Sequence, residues 1–272
     1  PTMSYQPVIV GSGLVGWQFL KSTQETQKSV FNSGAQITRD TEYFKENIGN
    51  ITSAEDLVSD RRMLRVALGA FGLQDDINNK FLIQKILEEG TLDTGSLANR
   101  MADDRYKSLA AAFAFDSPLG PRTTLSKFPD EIVTQYRAQE FEIAVGNQDE
   151  SLRLSLNFER ALPKISAESS SDDTKWFRIM GTSALRKVFE TSLALPSSFG
   201  QLDLDKQLEV FREKAESRFG VSEIDELVDP KIMGKVVQTY LLQSQIQNFS
   251  VSSSNQVALT MLQAIPRTSM FG

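Results

Sequence analysis

The sequence predicts an all-α, multihelical protein of two related helical units joined by a long helix. Three observations carry the prediction. At the start of the densest apolar stretch, Arg61 to Phe115, and just ahead of it, Leu57, Leu64, Leu68 and Phe71 fall at intervals of seven, four and three, which puts them on one side of a helix. No segment there alternates apolar and polar residues with period two, as a half-buried strand would. Helix start and stop signals recur down the chain, with Asp or Ser ahead of apolar runs and glycine behind them.

Residues 1–60 read as lead-in helices. Val8-Ile9-Val10 precedes Gly11-Ser12-Gly13-Leu14-Val15-Gly16, a G-x-G-x-x-G pattern that cradles pyrophosphate when it joins a strand to a helix. Its context is wrong for that fold. Lys28 to Asp40 offers no second strand, and Trp17 and Leu20 put bulk directly after the glycines. The pattern is expected to be a lead-in to a helix starting near Leu14. A nucleotide-binding enzyme using Gly11, Gly13 and Gly16 is the alternative. Trp17, Leu20, Gln24, Gln27 and Phe31 follow heptad spacing on a half-polar face, too polar for a self-sufficient coiled coil. Thr41 to Gly49 reads as a short helix with Tyr43, Phe44 and Ile48 inward.

Residues 61–120 form the first helical unit. Gly72 ends the Leu64–Phe71 face, Phe81 to Leu87 makes a second helix stopped by Gly90, and Ser96 and Asp103 cap short helices. Tyr106, Leu109, Ala110 and Phe113 are the apolar face of the last of these. Leu64, Leu68 and Phe71 are expected to pack on Phe113 or Leu109. The run Asp116-Ser-Pro-Leu-Gly-Pro121 breaks the pattern as a loop.

Residues 121–181 are connecting helices. Ser126 to Asp130 is a helix start with Pro129 in the first turn. Ile132, Tyr136, Ile143, Leu152, Leu156 and Ile165 then describe one long helix, or two if Gly146-Asn147 breaks it. After the polar run Glu168 to Thr174, Asp172 or Asp173 can cap a short helix closed by Gly181. Residues 182–250 form the second unit. Leu185, Val188 and Phe189 make one face, Asp203 caps the next helix, and Asp229-Pro230 starts another carrying Ile232, Val236 and Tyr240. Leu185 and Phe189 are expected against Tyr240 or Phe211. This unit aligns with the first at Leu64-Arg65 and Leu185-Arg186, at Phe81 and Phe211, at Gly90 and Gly220, and at Ser96-Asp103 and Ser222-Asp229. The alignment needs gaps.

Residues 251–272 are a tail. From Pro230 to Gly272 there is no Asp or Glu, and only Lys231, Lys235 and Arg267 carry charge. The chain ahead of Arg39 is similarly poor, so the middle carries nearly all the charge. Ile246, Phe249, Val257, Leu259 and Leu262 add apolar area that one short helix cannot hide. The two ends are therefore expected to pack together, with Trp17, Leu20 and Phe31 covering part of that area, or to join a protein partner or a second copy.

Composition excludes several chemistries. The 272 residues hold no cysteine and no histidine, which removes disulfides, Cys/His zinc sites, and Ser-His-Asp and Cys-His nucleophile systems. No cofactor or metal site is expected. The net charge of −6 argues against a nucleic-acid partner, which normally leaves a basic stripe. No run of about 18 apolar residues suggests a membrane span. The first residues lack the basic leader and cleavage pattern of a secretory signal. Four pairs of identical adjacent carboxylates occur: Asp75-Asp76, Glu88-Glu89, Asp103-Asp104 and Asp172-Asp173. Neighbours on a helix point about 100° apart and do not converge on one substrate, so Asp103 and Asp172 read as caps and Glu88-Glu89 as solvated surface. No catalytic, cofactor-binding or metal-ligating residue is assigned.

The phrases RRMLRVALGAFGLQDDI, SLANRMADDRYKSLAAAFAF and WFRIMGTSALRKVFETSLALP resemble an all-helical bacterial family, domain-of-unknown-function family 1217. The resemblance runs from about Tyr5 to Ile246. Genes of that family often lie in flagellar clusters, and it has no established catalytic residues to carry over. The resemblance implies a helical fold and a flagellar setting, either cytoplasmic or exported with flagellar components. With the chemistry above, it makes a non-catalytic structural or protein-interaction role the leading expectation.

Overall fold

A computed structural model describes residues 5–263, with side chains as far as Val251. Its regular elements are helices, and no strand occurs among the described residues. The chain is all-α and multihelical, as its periodicity predicts.

Helix α1 (Gly13–Asn32) buries Trp17, Leu20, Gln27 and Phe31 along its heptad face. Gln27 does not weaken that face. Its carboxamide accepts from Val8 N at 2.7 Å and donates to Val8 O at 2.9 Å, so it holds the lead-in onto the helix as a neighbouring strand would. Helix α2 (Ala35–Asn47) starts six residues before the expected Thr41. Phe44 and Ile48 are fully buried, while Tyr43 stands at the edge and donates to Asp60 Oδ2 at 2.6 Å.

The face from Leu57 to Phe71 is not one helix. Asp60 adopts φ −97° and ψ 103°, and its carboxylate accepts from the N–H groups of Arg62 and Met63. That cap separates α3 (Ala54–Ser59), which carries Leu57, from α4 (Arg61–Ala70), which carries Leu64 and Leu68. Phe71 lies just past the helix, half-buried, and Gly72 at φ +71° makes the left-handed stop. Helix α4 packs mainly on α2 and on α8 (Phe128–Gly146), not on the helix of Leu109 and Phe113 as expected.

Helix α5 (Lys80–Glu89) ends at Gly90, φ +61°. The short α6 (Leu97–Arg100) is capped by an unexpected side chain: Leu97 N donates to Glu89 Oε2 at 2.6 Å, while the Ser96 hydroxyl donates to Gly90 O. Glu89 is therefore a cap, not simply solvated surface. Asp103 caps α7 (Asp104–Phe113) as predicted. The stretch from Asp116 to Pro121 is a loop, and Pro129 sits in the first turn of α8.

The connection is two helices. Helix α8 closes at Gly146, and Asp149 caps α9 (Glu150–Ser166) through the N–H groups of Ser151 and Leu152. The two form a hairpin in which Arg160 Nε meets Glu142 Oε1 at 2.6 Å. Ser171, one residue before the expected aspartates, caps α10 (Asp172–Gly181). Asp172 is released to pair with Arg212 and to accept from Ile224 N at 2.7 Å. Helix α11 (Ser183–Ser192) follows, then α12 (Leu204–Phe219), where Asp203 holds the cap position without a side-chain cap bond. After α13 (Ile224–Leu227), Asp229 accepts from Lys231 N at 2.9 Å and starts α14 (Pro230–Gln263).

One apolar cluster runs from Trp17 to Leu241. Its aromatic centre joins α10, α11 and α12. Trp176 stacks on Phe211 at 5.6 Å and meets Phe189 at 5.1 Å, and Phe189 lies 6.4 Å from Phe211 as expected. Leu64 and Leu185 are equally buried, but Phe81 is 83% exposed where its aligned partner Phe211 is fully enclosed. Helix α14 buries Val236, Val237, Tyr240 and Leu241 against α11, α9 and α1.

Candidate functional site

A groove of about 770 Å3 has the α8–α9 hairpin as its floor. One wall is the C-terminal end of α4 with the first turn of α7. The other is the end of α10 with the start of α11. Its chemistry comes mostly from α9, where Arg153, Asn157 and Lys164 repeat at intervals of four and seven and so share a face.

Most groove charges are neutralised in place. Arg105 Nη2 meets Asp103 Oδ2 at 2.7 Å, and its Nη1 donates to Gly72 O at 2.6 Å. Arg153 pairs with Glu150, and Arg178 bridges Glu168 to Asp104. Lys164 and Lys187 make no ion pair among the described residues and stand at the α9–α11 side. The Lys164 side chain is exposed, but its ammonium is held below its ordinary pKa, first by partial desolvation at the groove and then by the Arg160 charge, with Glu142 pulling the other way. Asp104 is pushed up, because burial exceeds the help of Arg178 and Lys107. Five carboxamides, Gln74, Gln135, Gln139, Asn147 and Asn157, share the lining. Gln74 Oε1 and Asn157 Oδ1 are buried without a hydrogen-bond donor. A surface of fixed ion pairs, spare ammonium groups and carboxamides suits recognition of a polar chain.

A second polar cluster lies where α2, α4 and α8 meet. Asp40, 1% exposed, accepts from Gln36 Nε2 at 2.8 Å and from Arg65 Nη1 and Tyr136 OH, each at 3.4 Å. Glu140 adds a second carboxylate one turn beyond Tyr136. Its pKa is raised, by burial first and by the Asp40 charge second, with Arg65 pulling the other way.

The glycine pattern is a packing feature here. Residues 5–10 form no regular element, and the helix opens at Gly13, one residue from the expected start. Gly11 and Gly13 have φ of +82° and +56°, and a Cβ on Gly13 would overlap the Gln245 carboxamide of α14. A Cβ on Gly16 would come within 2.9 Å of Gly11 O. The three glycines thus let the lead-in turn tightly and let α14 approach the start of α1.

The carboxylate pairs divide their work. Asp75, Asp103 and Asp104 line the groove, whereas Asp76 accepts from Tyr106 OH at 2.6 Å and with burial raises that phenol to about 12. Glu88 accepts from Gln84, and Asp173 pairs with Arg212 at 2.6 Å. Among the described residues no group of three or more His, Cys, Asp or Glu is placed to hold a metal ion. Sequence reasoning missed Lys164, Lys187 and the groove itself, because residues as distant as Asp75 and Lys187 share it only after folding. The one local signal was the spacing along α9.

On α14, every residue from Gln245 to Val251 is exposed, although the Gln245 carboxamide lies against Gly13. Leu242 is 47% and Ile246 57% exposed, one turn apart on the same face. Residues Val257, Leu259 and Leu262, also expected to supply apolar area, lie outside the described side chains. No described helix is long and apolar enough to cross a membrane.

These features define a multihelical protein with a mixed-charge groove and a run of exposed apolar side chains on its last helix. A family model described as protein of unknown function, DUF1217, matches residues 70–233, and the chain belongs to that family. A crystal structure of a protein from Agrobacterium tumefaciens is similar, with a TM-score of 0.73 and 28% identity over 90% of this chain and 99% of that one. No curated protein matches the chain.

Proposed function

We propose that the protein is a non-catalytic interaction or structural protein whose contact element is the exposed apolar run of α14 at Leu242, Ile246 and Val251, and that it serves flagellar assembly or motility. The observation that carries this reading is a run of exposed apolar side chains on α14, with Leu242, Ile246 and Val251 at 47%, 57% and 60% exposure. Apolar groups that the core leaves exposed in one run are best explained by a partner or a second copy. The sequence from Pro230 onward has no carboxylate, which removes like-charge repulsion from such a contact. Its Gln, Ser and Asn side chains can hydrogen-bond across it without the desolvation cost of ions. The flagellar setting, cytoplasmic or exported, rests on the gene neighbourhoods that the family resemblance implies.

The alternative, a nucleotide-binding enzyme using Gly11, Gly13 and Gly16, has the Gln245 side chain against it at the start of α1. Nicotinamide and flavin nucleotides should leave the melting temperature unchanged, whereas a ligand at 100 times its dissociation constant adds about 2.7 kcal/mol. The interaction reading is tested by sedimentation and by co-purification from native cells, using the full chain and a chain lacking residues 248–272. Loss of association with an intact circular-dichroism spectrum supports it. Retention of every interaction by the shortened chain overturns it.

A further inference from the structure

The groove over the α8–α9 hairpin is independent of α14, since no described residue beyond Lys187 lines it. We propose that this groove binds a peptide segment bearing acidic side chains, with its carboxylates held by Lys164 and Lys187 and its backbone by the lining carboxamides.

Charge selects the sign of the ligand. The groove's guanidinium groups are already matched, Arg105 by Asp103, Arg153 by Glu150, and Arg178 by Glu168 and Asp104. Arg160 is tied to Glu142, whose side chain is only 6% exposed. The unspent charges on the α9–α11 side are therefore the ammonium groups of Lys164 and Lys187. A carboxylate meeting either lysine gains charge-assisted hydrogen bonds and breaks no existing pair.

Hydrogen-bonding groups select a peptide. A carboxamide offers one acceptor and a donor group, the same complement as a peptide unit. Five of them line the groove. The N–H and C=O groups of an extended segment match both ends of a carboxamide, where an inorganic anion matches only its donors. A nucleotide fits less well, because bases are gripped by stacking on rings and Phe71, itself half-buried, is the one aromatic residue in the described lining. A metal ion fits less well again, since most groove carboxylates are committed to guanidinium groups.

The test is a selection of displayed random heptapeptides on the immobilised full chain, run in parallel on Lys164→Glu/Lys187→Glu. Both lysines are solvent-exposed, so the variant should retain its helical spectrum. Lys164→Gln/Lys187→Gln serves as a second, charge-removing control. The expected result is enrichment of peptides rich in Asp and Glu. Their affinity should fall about tenfold or more in both variants, an effect of the order of one strong contact, and the loss should shrink at high salt. Enrichment of neutral or basic peptides, binding unchanged by both variants, or no enrichment at all would overturn the proposal.

Discussion

At the scale of single residues, the sequence conceals which polar side chains are structural. Gln27 read as a weakness in an apolar face and proves to be the clamp on Val8. Gly13 read as half of a nucleotide motif and proves to make room for Gln245. Gly13→Ala should therefore lower the melting temperature, through both its positive φ and the overlap. Adding Gln245→Ala should restore part of the loss, leaving the backbone strain of roughly 1–2 kcal/mol. A double variant no better than the single one would show that the Gln245 contact is unimportant. Glu140 gives a pH-dependent test. Burial and Asp40 raise its folded pKa above the ordinary 4.5, so folding favours the protonated form. That contribution is complete at acid pH and is lost as pH rises through the folded pKa. Glu140→Gln should melt above the parent protein at pH 7, and the gap should close as pH falls below 4.5. A variant that melts lower at pH 7 would mean that attraction to Arg65 outweighs burial.

At the scale of helices, start and stop chemistry was legible and partner choice was not. Asp103, Asp229, Gly72 and Gly90 act where local rules put them, because capping and left-handed turns depend on a few neighbouring atoms. Asp60 was missed, since an apolar face continuing across it hid the cap that divides α3 from α4. The neighbours of α4 were also missed. Its apolar stripe said that it is buried but not that α2 and α8 bury it, a choice made by topology. Leu68 is fully enclosed there. Leu68→Ala should cost about 2–5 kcal/mol in a denaturant titration, and an unchanged midpoint would put α4 outside the cooperative core.

At the scale of the molecule, the all-α class followed from periodicity, and the charge asymmetry anticipated that the C-terminal helix is unlike the rest. The groove was illegible because its charged residues come from separate helices and no short motif unites them. The ends do meet as anticipated, with α1 against α14, yet that contact leaves the apolar side chains of Leu242, Ile246 and Val251 exposed. The central claim is that this exposed run is a contact surface without a role in stability. Placing charge on it separates the two roles: Leu242→Glu/Ile246→Glu should melt within about 0.5 kcal/mol of the parent, as substitutions on exposed surface do. In sedimentation and co-purification from native cells, the same variant should lose the association shown by the full chain. A variant that loses stability, or that keeps every association, would contradict the account.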